Sequence, residues 1–132
     1  MKITVDTNVL LRAALADDKK QSAKAQDLLR TAELVVVPIV ALCEFVWVMR
    51  QGLKIPPHII AKSLRQLAAA RNVVMDVPVF EAGIAILEAG GDFADAALAK
   101  DGQARGGEIF VSFDNKAVRD LAALGFKTKK LS

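Results

Sequence analysis

Five carboxylates stand where the local sequence gives them more to do than solvate a surface: Asp6, Glu44, Asp92, Asp95 and Asp114. Asp6 directly follows the β-branched run Ile3-Thr4-Val5 and precedes a helix-like stretch, Asn8 to Leu15. That is a carboxyl strand end, where the sites of open parallel α/β folds form. Asp114 stands in the same relation to Ile109-Phe110-Val111 and the helix after it. For each, capping the next helix is the plainer role, with Thr7 and Ser112 able to compete for it. Glu44 lies within Ile39 to Met49, a segment apolar on every helical face, which predicts a buried helix. A carboxylate there is costly unless paired or bound to a cation. No basic residue shares its helical face within one turn, so a metal ligand is expected ahead of a buried ion pair. Asp92 and Asp95 open a helix after Gly90-Gly91, and a spacing of three puts both on one face. Asp92 is expected as an N-cap or accessory ligand, and Asp95 as a ligand, although the helix dipole alone favours an acid in that turn.

Carboxylates crowded together repel, and each raises the pKa of the others. A hard divalent cation removes the penalty, and an all-oxygen donor set suits Mg²⁺ or Mn²⁺. Such cations activate water and steady the leaving oxygen in phosphodiester hydrolysis. That chemistry needs no side-chain nucleophile. The sequence accordingly offers none with a motif around it. Its one histidine, His58, follows Pro56-Pro57, and its one cysteine, Cys43, sits in the apolar helix and reads as packing. There is no GxxxxGK[ST] phosphate loop and no Cys/His cluster for zinc.

The elements that must position these acids are strands alternating with helices. Leu34 to Val37 is a near-continuous apolar strand. Val73-Val74 is a weaker strand, and Phe126-Lys127-Thr128 a further edge. Helical faces are traced by Ala25, Leu28, Leu29 and Ala32, by Ile60, Leu64 and Leu67, and by Val118, Leu121 and Gly125. Pro56-Pro57 predicts a helix start, and the glycine pairs 90–91 and 106–107 bracket another helical segment. The alternation predicts one α/β domain over residues 1–132, with helices on both faces of a central, mainly parallel sheet of four to five strands.

With 53% hydrophobic and 25% charged residues, the chain can form a proper core and is not expected to be disordered. Its longest apolar run, Leu34 to Met49, is broken by Pro38 and Glu44 and is too short to span a bilayer. Neither a signal peptide nor an intramolecular disulfide is expected, so the expected location is cytoplasmic. The net charge of +3 becomes +8, 18 basic residues against 10 acids, if the five carboxylates share one metal site. Such a surface attracts phosphate backbones. Arg12 and Lys116 closely follow site carboxylates and are the better phosphate contacts. With six Phe, one Trp and no Tyr, no aromatic platform for base stacking is signalled.

Val5-Asp6-Thr7-Asn8-Val9-Leu10-Leu11, then Glu44, then Asp92-Phe93-Ala94-Asp95-Ala96, then Val111-Ser112-Phe113-Asp114 resemble, in that order, the PIN-domain nucleases. The likeness is greatest to the VapC-type toxins of bacterial and archaeal toxin–antitoxin pairs. It covers nearly the whole chain, whose length suits a stand-alone PIN domain. The resemblance implies a three-layer α/β/α fold and a Mg²⁺- or Mn²⁺-dependent endoribonuclease acting on single-stranded or looped RNA. The family's four acids fall on Asp6, Glu44, Asp95 and Asp114, with Asp92, Thr7 and Ser112 as accessory positions. A homodimer and a silencing antitoxin are implied as well. Two rivals fit less of the sequence. A haloacid-dehalogenase-like phosphatase needs Asp-x-Asp-x-Thr, where this chain reads Asp6-Thr7-Asn8-Val9-Leu10. A non-catalytic RNA- or protein-binding module gains little from Glu44.

Overall fold

A computed structural model describes residues 1–132. Its contacts gather into two compact units, Met1–Asp76 and Val77–Ser132. The first runs β1 (Lys2–Thr4), α1 (Thr7–Ala14), α2 (Lys19–Thr31), β2 (Leu34–Val36), α3 (Ile39–Trp47), a π-helical turn (Val48–Gly52), α4 (Pro57–Ala69) and β3 (Val73–Val74). The second runs α5 (Val77–Glu88), α6 (Phe93–Ala104), β4 (Phe110–Ser112), α7 (Asn115–Ala123) and β5 (Thr128–Lys130).

The fold is parallel α/β, as the alternating pattern predicts. Its five strands are all parallel, but they fall into two sheets, three strands in the first unit and two in the second. In the first sheet β2 is central: Ile3 pairs with Val35, and Val35 with Val73. Central placement explains the apolar run, since Val35 and Val37 are fully buried. Leu10, Leu42, Phe45, Met49, Ile60 and Leu64 complete this core. Asn72 fastens β3 to the end of α2 by donating its amide to the carbonyls of Leu29 and Ala32 (2.8 and 2.9 Å). Pro57 occupies the first turn of α4, where its missing N–H costs nothing.

In the second unit Ile86, Ala96, Ala99 and Leu121 form a core against which Phe110 and Phe126 pack. Helix α5 is not signalled by the sequence, because Pro78 and Gly83 interrupt it. Gly83 is what lets α6 approach: a Cβ there would lie 2.4 Å from the buried ring of Phe93. The expected edge strand forms, two residues later than its apolar residues suggest, and Phe126 goes to the core instead. Gly125 takes φ +94 and ends α7, and Phe126 N–H closes the turn on Leu121 C=O (3.1 Å).

Candidate active site

In the first unit β1 delivers Asp6 to the N-cap of α1. Its Oδ1 accepts from Val9 N–H at 3.0 Å, which satisfies a helix-end donor. The expected helix begins at Thr7 rather than Asn8. Thr7 then donates from Oγ1 to Glu44 Oε2 at 3.1 Å, bringing α3's carboxylate next to the residue after Asp6. The parallel register makes this meeting possible: Thr4 pairs with Val36, so α1 and α3 leave the same sheet edge.

The expectation that Glu44 is buried is wrong. Its helix turns Ala41, Leu42, Phe45 and Val46 inward and leaves Val40, Glu44 and Trp47 exposed. Val40 is 68% exposed and Trp47 64%, so apolar composition misled the reading of burial. An amphipathic face was hidden behind apolar residues on the solvent side. The cost of burial therefore gives no argument that Glu44 needs a cation. What remains is its position beside Thr7 and Asp6.

In the second unit the acids sit at two helix starts. Asp92 caps α6 through Oδ1 to Ala94 N–H (2.9 Å), as expected, and Asp95 lies in the first turn behind it. Asp114 caps α7, its Oδ1 accepting from Lys116 N–H (2.9 Å) and Ala117 N–H (3.2 Å). Ser112, at the end of β4, does not take the cap. Its hydroxyl accepts from Asp114 N–H at 2.9 Å and orients the residue that does. Capping engages one oxygen of each of these carboxylates. Asp6, Asp92 and Asp114 each cap with Oδ1 alone, and Oδ2 carries no hydrogen bond.

Asp95 is the electrostatic focus of this unit. Burial, then the neighbouring charges of Asp92, Asp114 and Asp120, raise its pKa from 3.8 to about 6, against a lowering by Lys116. Asp120 went unread in the sequence. It lies on α7 one turn beyond Lys116, and only the i, i+4 spacing could have signalled the pair. The Lys116 ammonium lies 2.6 Å from Asp120 and donates to Gly90 C=O at 3.1 Å. Lys116 is thus paired within this cluster, while its side chain stays exposed. Arg12, the other expected contact, pairs with Asp17 at 3.3 Å on the surface.

The donor chemistry fits a hard divalent cation: oxygen atoms only, with like charges close enough to perturb one another. No three His, Cys, Asp or Glu side chains form a preformed cage for an ion. The free Oδ2 atoms, on exposed side chains, are the ones open to one.

Comparison with protein families matches residues 3–124 to the PIN domain. The chain belongs to the PIN-domain family. PIN domains are generally nucleases, hydrolases that bind RNA and typically use divalent metal ions. No curated protein matches the chain. No helix is long and apolar enough to cross a membrane.

Proposed function

We propose that this chain is a metal-dependent endoribonuclease that hydrolyses RNA phosphodiester bonds, and that it is the toxin of a toxin–antitoxin pair. The observation that carries the catalytic reading is the crowding of acids on Asp95. Burial first, then the charges of Asp92, Asp114 and Asp120, raise its pKa, and the like-charge part is what a bound cation relieves. The family match extends across both compact units, which supports residues 1–132 working as a single PIN-type nuclease domain.

In this account Asp6, Glu44, Asp95 and Asp114 are the catalytic and metal-holding residues, and Asp92 is an accessory acid. Bound Mg²⁺ or Mn²⁺ supplies a nucleophilic water and charge stabilisation at the scissile phosphate. The chain's own residues prepare that chemistry. Thr7 fixes the Glu44 carboxylate, Ser112 fixes the backbone that carries Asp114, and the helix caps aim one carboxylate oxygen each while leaving the other free. The proximity of Thr7 to Glu44 supports joining Asp6 and Glu44 in one function, and the effect of Asp114 on Asp95 supports joining those two. The order of the four acids along the chain supports joining the pairs.

Calorimetric titration with Mn²⁺ tests the assignment. Wild type binds, and Asp6→Asn and Asp95→Asn each weaken binding about tenfold or more, as loss of ligand-shell groups commonly does. Equal affinity in wild type and Asp6→Asn would remove the first unit from the site. The finer readings rest on the resemblance to VapC-type toxins: a cytoplasmic homodimer silenced by an antitoxin. Growth arrest on expression, absent for Asp95→Asn, is the result that reading requires.

A further inference from the structure

We propose that the groove between α1 and α2 is the channel that holds the RNA strand beside the Asp6 end of the site. The inference rests on the ribonuclease reading and goes beyond it by naming the surface and side chains that grip the substrate. The groove is open, about 570 Å³ in volume, and lies wholly within the first unit. Asp6 is one of its lining residues. Asn8 and Arg12, one turn apart on α1, line one wall, and Gln21 and Lys24 on α2 line the other, with Leu28 among the apolar residues between them.

Its chemistry is that of a nucleic-acid strand's partner. Two cations suit phosphates, two amides suit 2′-hydroxyls and base edges, and an apolar floor suits a base. Charge is distributed to match. The first unit carries eleven lysines and arginines against seven acids, and the second seven against eight. Helix α2 alone carries Lys19, Lys20, Lys24 and Arg30 against Asp27. Lys24 has no ion pair or hydrogen bond, and Arg12 is held only by the exposed pair with Asp17, which phosphate can displace at small cost. The walls are fixed before any ligand arrives. Gln26 donates its amide to Ala13 C=O (3.0 Å), which ties α2 to α1, and to the buried Ser22 hydroxyl one turn back on α2 (3.3 Å). A strand lying there meets the two cations and Asp6 in one groove.

The test is binding of a fluorescent single-stranded RNA oligonucleotide in EDTA, read by anisotropy over a salt series, beside metal-dependent cleavage of the same RNA. Lys24→Ala and Arg12→Ala should each raise Kd several-fold and lower the salt slope by about 0.7, one phosphate contact apiece. Lys62→Ala, which removes the same charge from α4 outside the groove, should leave both nearly unchanged. If wild type binds and cleaves but the groove variants bind as wild type does, the groove inference falls and the ribonuclease reading stands. The groove inference falls equally if Lys62→Ala weakens binding as much as the groove variants, since the attraction is then general. If wild type neither binds nor cleaves RNA, both fall. An acidic protein captured by wild type and lost by Lys24→Ala, with RNA binding unaffected, would reassign the groove to a protein partner.

Discussion

Replacing Asp95 by asparagine should stabilise the metal-free protein, an unusual outcome for removing a site residue. The folded protein holds the Asp95 proton up to about pH 6, whereas an ordinary aspartate releases it near 3.8. The folded state therefore binds more protons between those values, and stability falls as pH rises through that window. Below it both states are protonated and nothing is lost; above it the whole penalty is present. At about 1.4 kcal/mol per tenfold the ceiling is about 3 kcal/mol. The carboxyl is only half-buried, so solvent screening reduces that figure, and the N-terminal dipole of α6 favours the anion by roughly 0.3–1 kcal/mol. About 1 kcal/mol remains, or about 3–4 °C in Tm for a domain of this size. Thermal unfolding in EDTA should show Asp95→Asn more stable than wild type at about pH 7.5, with the gap closing by about pH 4. Saturating Mn²⁺ should reverse the order, because only wild type gains the full binding free energy. A variant no more stable than wild type in EDTA at neutral pH would refute the penalty that burial and the neighbouring acids place on the Asp95 anion.

Three further outcomes follow from the geometry. Asp114→Ala should destabilise by about 1–2 kcal/mol through loss of the α7 cap, whereas Asp114→Asn, which keeps an acceptor at the cap, should fold near normally yet lose metal-dependent cleavage; urea unfolding beside the RNA assay separates the two roles. Gly83→Ala forces a methyl into the buried Phe93 ring and should cost about 1–3 kcal/mol in urea unfolding, with activity falling as α6 and Asp95 shift. Lys116→Met removes the ammonium that lowers Asp95 and pairs with Asp120, so the midpoint of Asp95 titration, followed by carboxyl NMR, should move upward from about 6.

The parts of this protein that could be read from sequence are those where local signals agree. β-Branched runs ending in an acid before a helix gave Asp6 and Asp114 their places, and Gly90-Gly91 followed by Asp92 marked both the start and the cap of α6. The competition of Thr7 and Ser112 for the caps could be posed but not decided, because that depends on side-chain direction. Ser112 proved to hold Asp114 rather than replace it. Glu44 was located on the right helix but on the wrong side of it, since Val40 and Trp47 contribute apolar letters on a solvent-facing stripe. Helix α5 was invisible because Gly83 is chosen for the approach of Phe93, a tertiary demand that overrides local propensity. The Lys116–Asp120 pair follows an i, i+4 spacing, but the bond from Lys116 to Gly90 C=O depends on how α7 meets the Gly90 turn, which no spacing encodes. The division of five strands between two sheets was likewise beyond the alternating pattern, which fixes strand direction better than strand partnership.

The most direct test of the central claim is cleavage of folded RNA fragments by metal-stripped protein. Wild type would be incubated with Mn²⁺, with Mg²⁺ and with EDTA, beside Asp95→Asn prepared identically. Cleavage that requires the cation and disappears in the variant is the predicted result. Cleavage that persists in EDTA or in Asp95→Asn would contradict a metal-dependent site built on these acids.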